Sequence, residues 1–181
     1  MAAIQAGVDV IAHTTPQSGP WGEALTREIQ GRRVALTPTL SLWKSSLRHD
    51  QISTQETLTA TAIGQLQSWV ASGGTVLFGT DIGAIDYDPS EEYVLMARAG
   101  LNFRQILATL TTAPAAQFGD SERLGRIAVG FEADLVVLSG HPSRGRERIC
   151  GCRIHRRRRE HRLSIPDISI DRRKHRPLGV K

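Results

Sequence analysis

The sequence predicts an α/β fold built on parallel βα units. Three observations carry that prediction. Short β-branched apolar runs alternate with longer stretches at helical spacing. Glycines stand where the helical stretches should stop. Each apolar run is followed by a long crossover rather than a tight turn, as parallel neighbours require. Strands of about five residues with such crossovers suit a TIM-type barrel or a doubly wound sheet.

Each element has its own signal. Ala2–Ala6 reads as a helix end closed by Gly7. Val8-Asp-Val-Ile-Ala12 is a short buried strand. His13 to Gly19 is loop-like, and Pro20 suits the first turn of a helix that runs to about Gln30. Arg33-Val-Ala-Leu-Thr37 is a second strand, halted by Pro38. From Thr54 the apolar positions Leu58, Ile63, Leu66, Trp69 and Val70 follow helical spacing until Gly73-Gly74. Thr75-Val-Leu-Phe-Gly79 is the third strand. After the acidic loop Asp81 to Asp88, Ser90 is expected to cap a helix that Gly100 closes. Asn102 and Gln105 resemble a capping box, and Thr112-Ala-Pro114 opens a short last helix. From Arg126 the pattern changes, and Ile127–Leu138 reads as a β-hairpin. Three strands cannot close a barrel, which needs eight strands and ~250 residues.

Charge divides the chain. The net charge is +5, yet residues 1–143 carry a balance of −5 and residues 144–181 a balance of +10. The basic character therefore belongs to the tail, as do both cysteines, Cys150 and Cys152. The body needs no disulfide. No apolar run approaches the ~20 residues that cross a bilayer. The first residues lack a basic n-region and an apolar stretch, so a cytoplasmic address is expected.

Two polar residues occupy matching places. His13 follows the first strand directly, and Asp81 follows the third after one threonine. The carboxyl ends of the strands form the functional face of a parallel α/β sheet. An imidazole and a carboxylate together there suit a divalent metal such as zinc. The carboxylate could also take a proton from an activated water. Capping or loop hydrogen bonding by the same residues stays open on this pattern alone.

The surrounding words add to it. Ala6-Gly-Val-Asp-Val-Ile-Ala-His13, Gly79-Thr-Asp81, Leu110-Thr-Thr-Ala-Pro-Ala-Ala116 and Gly125-Arg-Ile-Ala-Val-Gly-Phe-Glu-Ala-Asp-Leu-Val-Val-Leu138 occur in that order. Together they resemble the C-terminal part of the amidohydrolase superfamily, in its imidazolonepropionase-like and prolidase-like branch. The resemblance covers about residues 1–143. It implies the last three βα units of a distorted metal-dependent (β/α)₈ barrel over residues 1–124, then part of a small β-sandwich over 125–143. It makes His13 a metal ligand on the sixth barrel strand, and Asp81 a ligand and general base on the eighth. Gly125, Gly130 and Asp134 would serve turns. The implied activity is hydrolysis of a non-peptide C–N bond, in an amide or cyclic amide, by a metal-activated water. One or two divalent metals, zinc foremost, and a small-molecule substrate go with it.

The family's other donors are missing here: an H-x-H pair, a lysine or acid on the fourth strand and a histidine on the fifth. A catalytic zinc usually takes three protein ligands, so the chain alone is expected to be inactive. Thr14, Thr15 and Pro16 lie beside His13 and are candidates to line a substrate pocket, with turn-making as the competing role. Thr39 and Trp43 are candidates to touch substrate from the second strand's exit. Packing is the competing role for Trp43. Asp86, Asp88, Glu91 and Glu92 could add a metal ligand, but a solvated helix N-terminus is the simpler reading. His49, between Arg48 and Asp50, reads as surface.

Residues 144–181 could be imagined as a zinc site (Cys150, Cys152, His155, His161) beside an arginine-rich nucleic-acid arm. The spacing matches no finger pattern, and Arg156 to Arg159 lack aromatic interleaving. The abrupt turn to Arg and His suits an out-of-frame end, expected to be disordered. Nucleic-acid binding by this tail, or a non-catalytic α/β packing module, are the alternatives to a hydrolase. Homo-oligomerisation stays open.

Overall fold

A computed structural model describes residues 2–46, 52–85 and 88–135. The described elements are α1 (Ala2–Gln5), β1 (Val10–Ala12), α2 (Glu23–Gln30), β2 (Ala35–Thr37), α3 (Leu40–Ser46), α4 (Ile52–Ala71), β3 (Thr75–Val76), α5 (Ser90–Arg98), α6 (Phe103–Leu110) and α7 (Thr112–Gln117). A 3-10 turn at Pro16–Ser18 follows β1.

The three strands form one parallel sheet in the order β1-β2-β3. Val10, Ala35 and Thr75 stand in register, as do Ile11, Leu36 and Val76. β2 is therefore central and paired on both sides, and Ala35 and Leu36 are fully buried. A central strand buried on both faces reads as a continuous apolar run, as Val34-Ala-Leu36 does. Hydrogen bonding continues past the named ends. His13 N–H donates to the Thr37 carbonyl at 2.8 Å, and Leu77 N–H to the Leu36 carbonyl at 2.8 Å.

Helix α4 packs onto the sheet through Ala62, Ile63, Leu66 and Trp69, four members of the buried core that also takes in Val34, Leu36 and Val76. Leu95 and Met96 of α5 and Ile106 of α6 complete the layer. Trp69 lies edge-on to Trp21 with centroids 6.0 Å apart, and its indole N–H donates to the Thr75 carbonyl at 2.9 Å. That bond ties the helix to the start of the strand it precedes.

The sequence signals and the structure differ in places. Helix α2 begins at Glu23 rather than Pro20, because Gly22 is its extended N-cap residue. Ser90 is the first helical residue of α5 rather than its cap, and its N–H donates to the Asp88 carboxylate at 2.9 Å. The capping box at Asn102 and Gln105 forms with both reciprocal bonds. Helix α3 has no counterpart in the sequence reading. Of the hairpin expected at Ile127–Leu138, residues 127–135 hold a turn at Ala128–Phe131 and no strand. Ile127 and Val129 are exposed there, with no second sheet among the described residues to cover them. The remainder of that hairpin, His49, Asp86 and the whole tail lie outside the described residues. No helix among the described residues is long and apolar enough to cross a membrane.

Candidate active site

The three strands deliver three residues to one edge of the sheet, and all three have left-handed backbones. His13 leaves β1 at φ 69°, Thr39 leaves β2 at φ 46°, and Asp81 leaves β3 at φ 60°. Non-glycine residues in this region are uncommon and hold ~1–3 kcal/mol of strain, which the surrounding structure must enforce. Such strain gathers at functional sites. β1 and β3 flank β2, so their ends stand two strand spacings apart, ~10 Å at the backbone.

The exits are knitted together by side chains. His13 Nδ1 lies 2.7 Å from Thr39 Oγ1. Thr14 Oγ1 accepts from the Trp43 indole N–H at 2.7 Å and donates to the Pro38 carbonyl at 3.3 Å. Ser45 Oγ, on α3, donates to the Ala84 carbonyl in the loop that carries Asp81. Gly79 allows β3 to leave close to β2. A Cβ at that position would stand 2.4 Å from Thr37 Cγ2.

Two buried polar residues, each borne on a helix, grip these loops from behind. Gln65 of α4 makes a paired contact with the Thr15 backbone: its Oε1 accepts from Thr15 N–H at 2.8 Å, and its Nε2 donates to the Thr15 carbonyl at 2.9 Å. The same Nε2 donates to the Gly19 carbonyl at 2.6 Å. Glu92 of α5 accepts from Leu40 N–H at 2.9 Å and Ser41 N–H at 2.8 Å. It thereby caps α3 directly after Thr39. Burial pushes the Glu92 carboxyl above its ordinary pKa, opposed by these two amides.

The sequence-predicted residues fall into two groups. His13 is half-buried and Asp81 is exposed. Thr14 and Thr39 are buried, so each acts on its neighbours rather than on an open surface, and Trp43 is half-buried. Glu92 is not part of a solvated helix end, as its charge pattern suggested. It is fully buried, because the α3 amides need its oxygens. Gln65, Glu92 and Gly79 were not legible as site residues. Gln65 and Glu92 leave one signal, a polar residue on a helix that carries core positions.

The donor chemistry at this face fits a divalent metal. His13 has Nδ1 engaged and Nε2 left over, and the Asp81 carboxylate lies in solvent. The number of donors falls short, since no group of three or more His, Cys, Asp or Glu comes together among the described residues.

Residues 23–150 match the model of the amidohydrolase family. The chain belongs to the amidohydrolase family. The matched segment contains Asp81, while His13 precedes it. This amidohydrolase chain is also 49% identical over 43 residues to the amidohydrolase tasK of Hapsidospora irregularis, a stretch that is 24% of this chain and 4% of that protein. Among solved structures it is similar to a Xaa-Pro dipeptidase with bound methionine in the active site. There the TM-score is 0.72 at 21% identity, over 83% of this chain and 38% of the other. It is similar also to A. niger ochratoxinase, with a TM-score of 0.69 at 18% identity, over 84% and 36%. At these identities the two structures speak for the fold. The chain spans under two-fifths of the length of either. The amidohydrolase family is generally metal-dependent.

Proposed function

We propose that this chain carries part of the active centre of a metal-dependent amidohydrolase acting on a small molecule. The reaction is hydrolysis of a C–N bond in an amide or cyclic amide. The observation that carries the reading is the shared placement of His13 and Asp81. Both follow strands of one parallel sheet at its carboxyl edge, both have strained left-handed backbones, and Asp81 lies within the family match.

His13 would hold a divalent metal such as zinc through Nε2, and Asp81 through its carboxylate. A bound metal supplies a water of lowered pKa at this face. The Asp81 carboxylate would be the group that takes a proton from the attacking water and returns one to the leaving nitrogen, as base and then as acid. Its exposure keeps it open to solvent and substrate. Thr14 and Thr39 support the strand exits, and Trp43 offers the uncovered part of its ring to substrate. Two donors hold metal weakly, so the chain by itself is expected to turn over little or nothing.

The test is a cobalt or zinc titration of the full chain, followed by hydrolysis assays on a panel of amides and cyclic amides. The reading expects His13 to respond to metal and any turnover to need both metal and Asp81. Turnover that persists in Asp81→Asn, or metal uptake that leaves His13 unaffected, overturns it.

A further inference from the structure

We propose that Thr39 is the positioning residue that fixes the tautomer of His13, accepting a hydrogen bond from Nδ1–H so that Nε2 keeps the ring's free lone pair. The purpose of that tautomer rests on the function proposed above, but its existence does not.

Four observations support the assignment. The contact is short, 2.7 Å between His13 Nδ1 and Thr39 Oγ1. It is long-range, joining residues 26 apart on adjacent strand exits. Thr39 is buried, 2% exposed, so water does not compete for its hydroxyl. Its left-handed backbone at φ 46° is unfavourable for a β-branched residue, and something must hold it there.

The holding group is visible. Glu92 takes the amides of Leu40 and Ser41, the two residues that follow Thr39, and fixes where α3 begins. On its other side the Pro38 carbonyl accepts from both Thr14 N–H and Thr14 Oγ1. The hydroxyl is thus presented to His13 by a frame fastened at both ends. A neutral imidazole carries one N–H and one lone pair, and the partner of one nitrogen sets the role of the other. With Nδ1 donating to Thr39, Nε2 is the basic nitrogen. Ligating histidines use their second ring nitrogen in this way. Here a hydroxyl takes the place usually filled by a carboxylate or carbonyl.

The assignment differs from a substrate-contact role for Thr39, which would leave the hydroxyl accessible. It also differs from a purely structural role, which would not move the tautomer of a residue on another strand.

The test is ¹⁵N–¹H correlation of the histidine rings in the full chain, free of metal, at a pH about two units above the ordinary histidine pKa of ~6.5. His13→Gln identifies the His13 signals. The expected result is a protonated Nδ1 and an unprotonated, downfield Nε2 for His13. Thr39→Ser, which keeps the hydroxyl, should preserve that pattern. Thr39→Val, which keeps the shape and loses the acceptor, should move His13 toward the Nε2–H form. An Nε2–H tautomer in the wild-type chain overturns the proposal, and that measurement needs no variant to fold. An unchanged pattern in a folded Thr39→Val overturns it as well. Cobalt affinity at His13, read from its own ring signals, is expected to fall about 10–100-fold in Thr39→Val and to recover in Thr39→Ser. If His13 is the Nδ1–H tautomer but never senses metal, the hydrolase reading fails and the tautomer assignment stands.

Discussion

Replacing Glu92 by glutamine keeps the side chain's size and tests what its second oxygen does. In the native chain one oxygen accepts from Leu40 N–H at 2.9 Å and the other from Ser41 N–H at 2.8 Å, with the residue fully buried. Glutamine retains one acceptor and turns an NH₂ donor toward the other amide. One buried N–H is then left without an acceptor, a loss of about 1–3 kcal/mol, partly offset because no charge is buried any longer. With a urea slope of about 1–3 kcal/mol per molar, the midpoint should fall by about 1 M. The assay is equilibrium urea unfolding at pH 7 with the slope compared between variants. A midpoint within about 0.2 M of wild type would refute the reasoning.

The pH dependence provides a second check on the same pair. The folded-state pKa of Glu92 is raised, so the folded chain binds this proton more readily than the unfolded chain. Wild-type stability from this group therefore increases as pH falls from the raised value toward the ordinary carboxylate value, and is flat above it. Glutamine has no such response. The stability gap between the two proteins should widen as pH is lowered through that window. A gap that narrows there would contradict the direction of the shift.

Other expectations follow from the same geometry. Gly79→Ala places a methyl 2.4 Å from Thr37 Cγ2 and should cost about 1–3 kcal/mol by overpacking, with part regained in the Gly79→Ala, Thr37→Ser double variant on urea unfolding. Gln65→Leu removes three hydrogen bonds to the Thr15 and Gly19 backbones. Amide exchange at Thr15 should speed up at least about tenfold, the equivalent of ~1.4 kcal/mol of local opening, while the α6 amides stay protected. Asn102→Ala opens the capping box of α6 and should lower stability by about 1 kcal/mol, measured by the same unfolding assay.

Features whose causes are local were legible in the sequence. Val10, Ile11, Ala35 and Leu36 lie in β-branched or apolar runs, and they pair in register. The capping box needs only residues three apart, so Asn102 and Gln105 announced it. His13 and Asp81 could be placed because each follows a strand whose end is marked by composition. What could not be read depends on contacts across long sequence distances. Helix α3 has seven residues, and its N-terminal amides are satisfied by Glu92, about fifty residues later. No local cap signals that helix, and beside Glu91 the charge of Glu92 looks like solvated surface. From sequence Thr39 reads as a candidate substrate contact, because it follows the second strand onto the functional face. Its burial and its bond to His13 emerge only when β1 and β2 are side by side.

The central claim is that His13 and Asp81 serve one centre. It is tested most directly by cobalt titration of the full chain, following the His13 ring signals in wild type and in Asp81→Ala. The account predicts selective perturbation of His13 in wild type, and an affinity at least about tenfold weaker (~1.4 kcal/mol) once the carboxylate is gone. An identical His13 response with and without Asp81 would mean that the two residues do not share a metal.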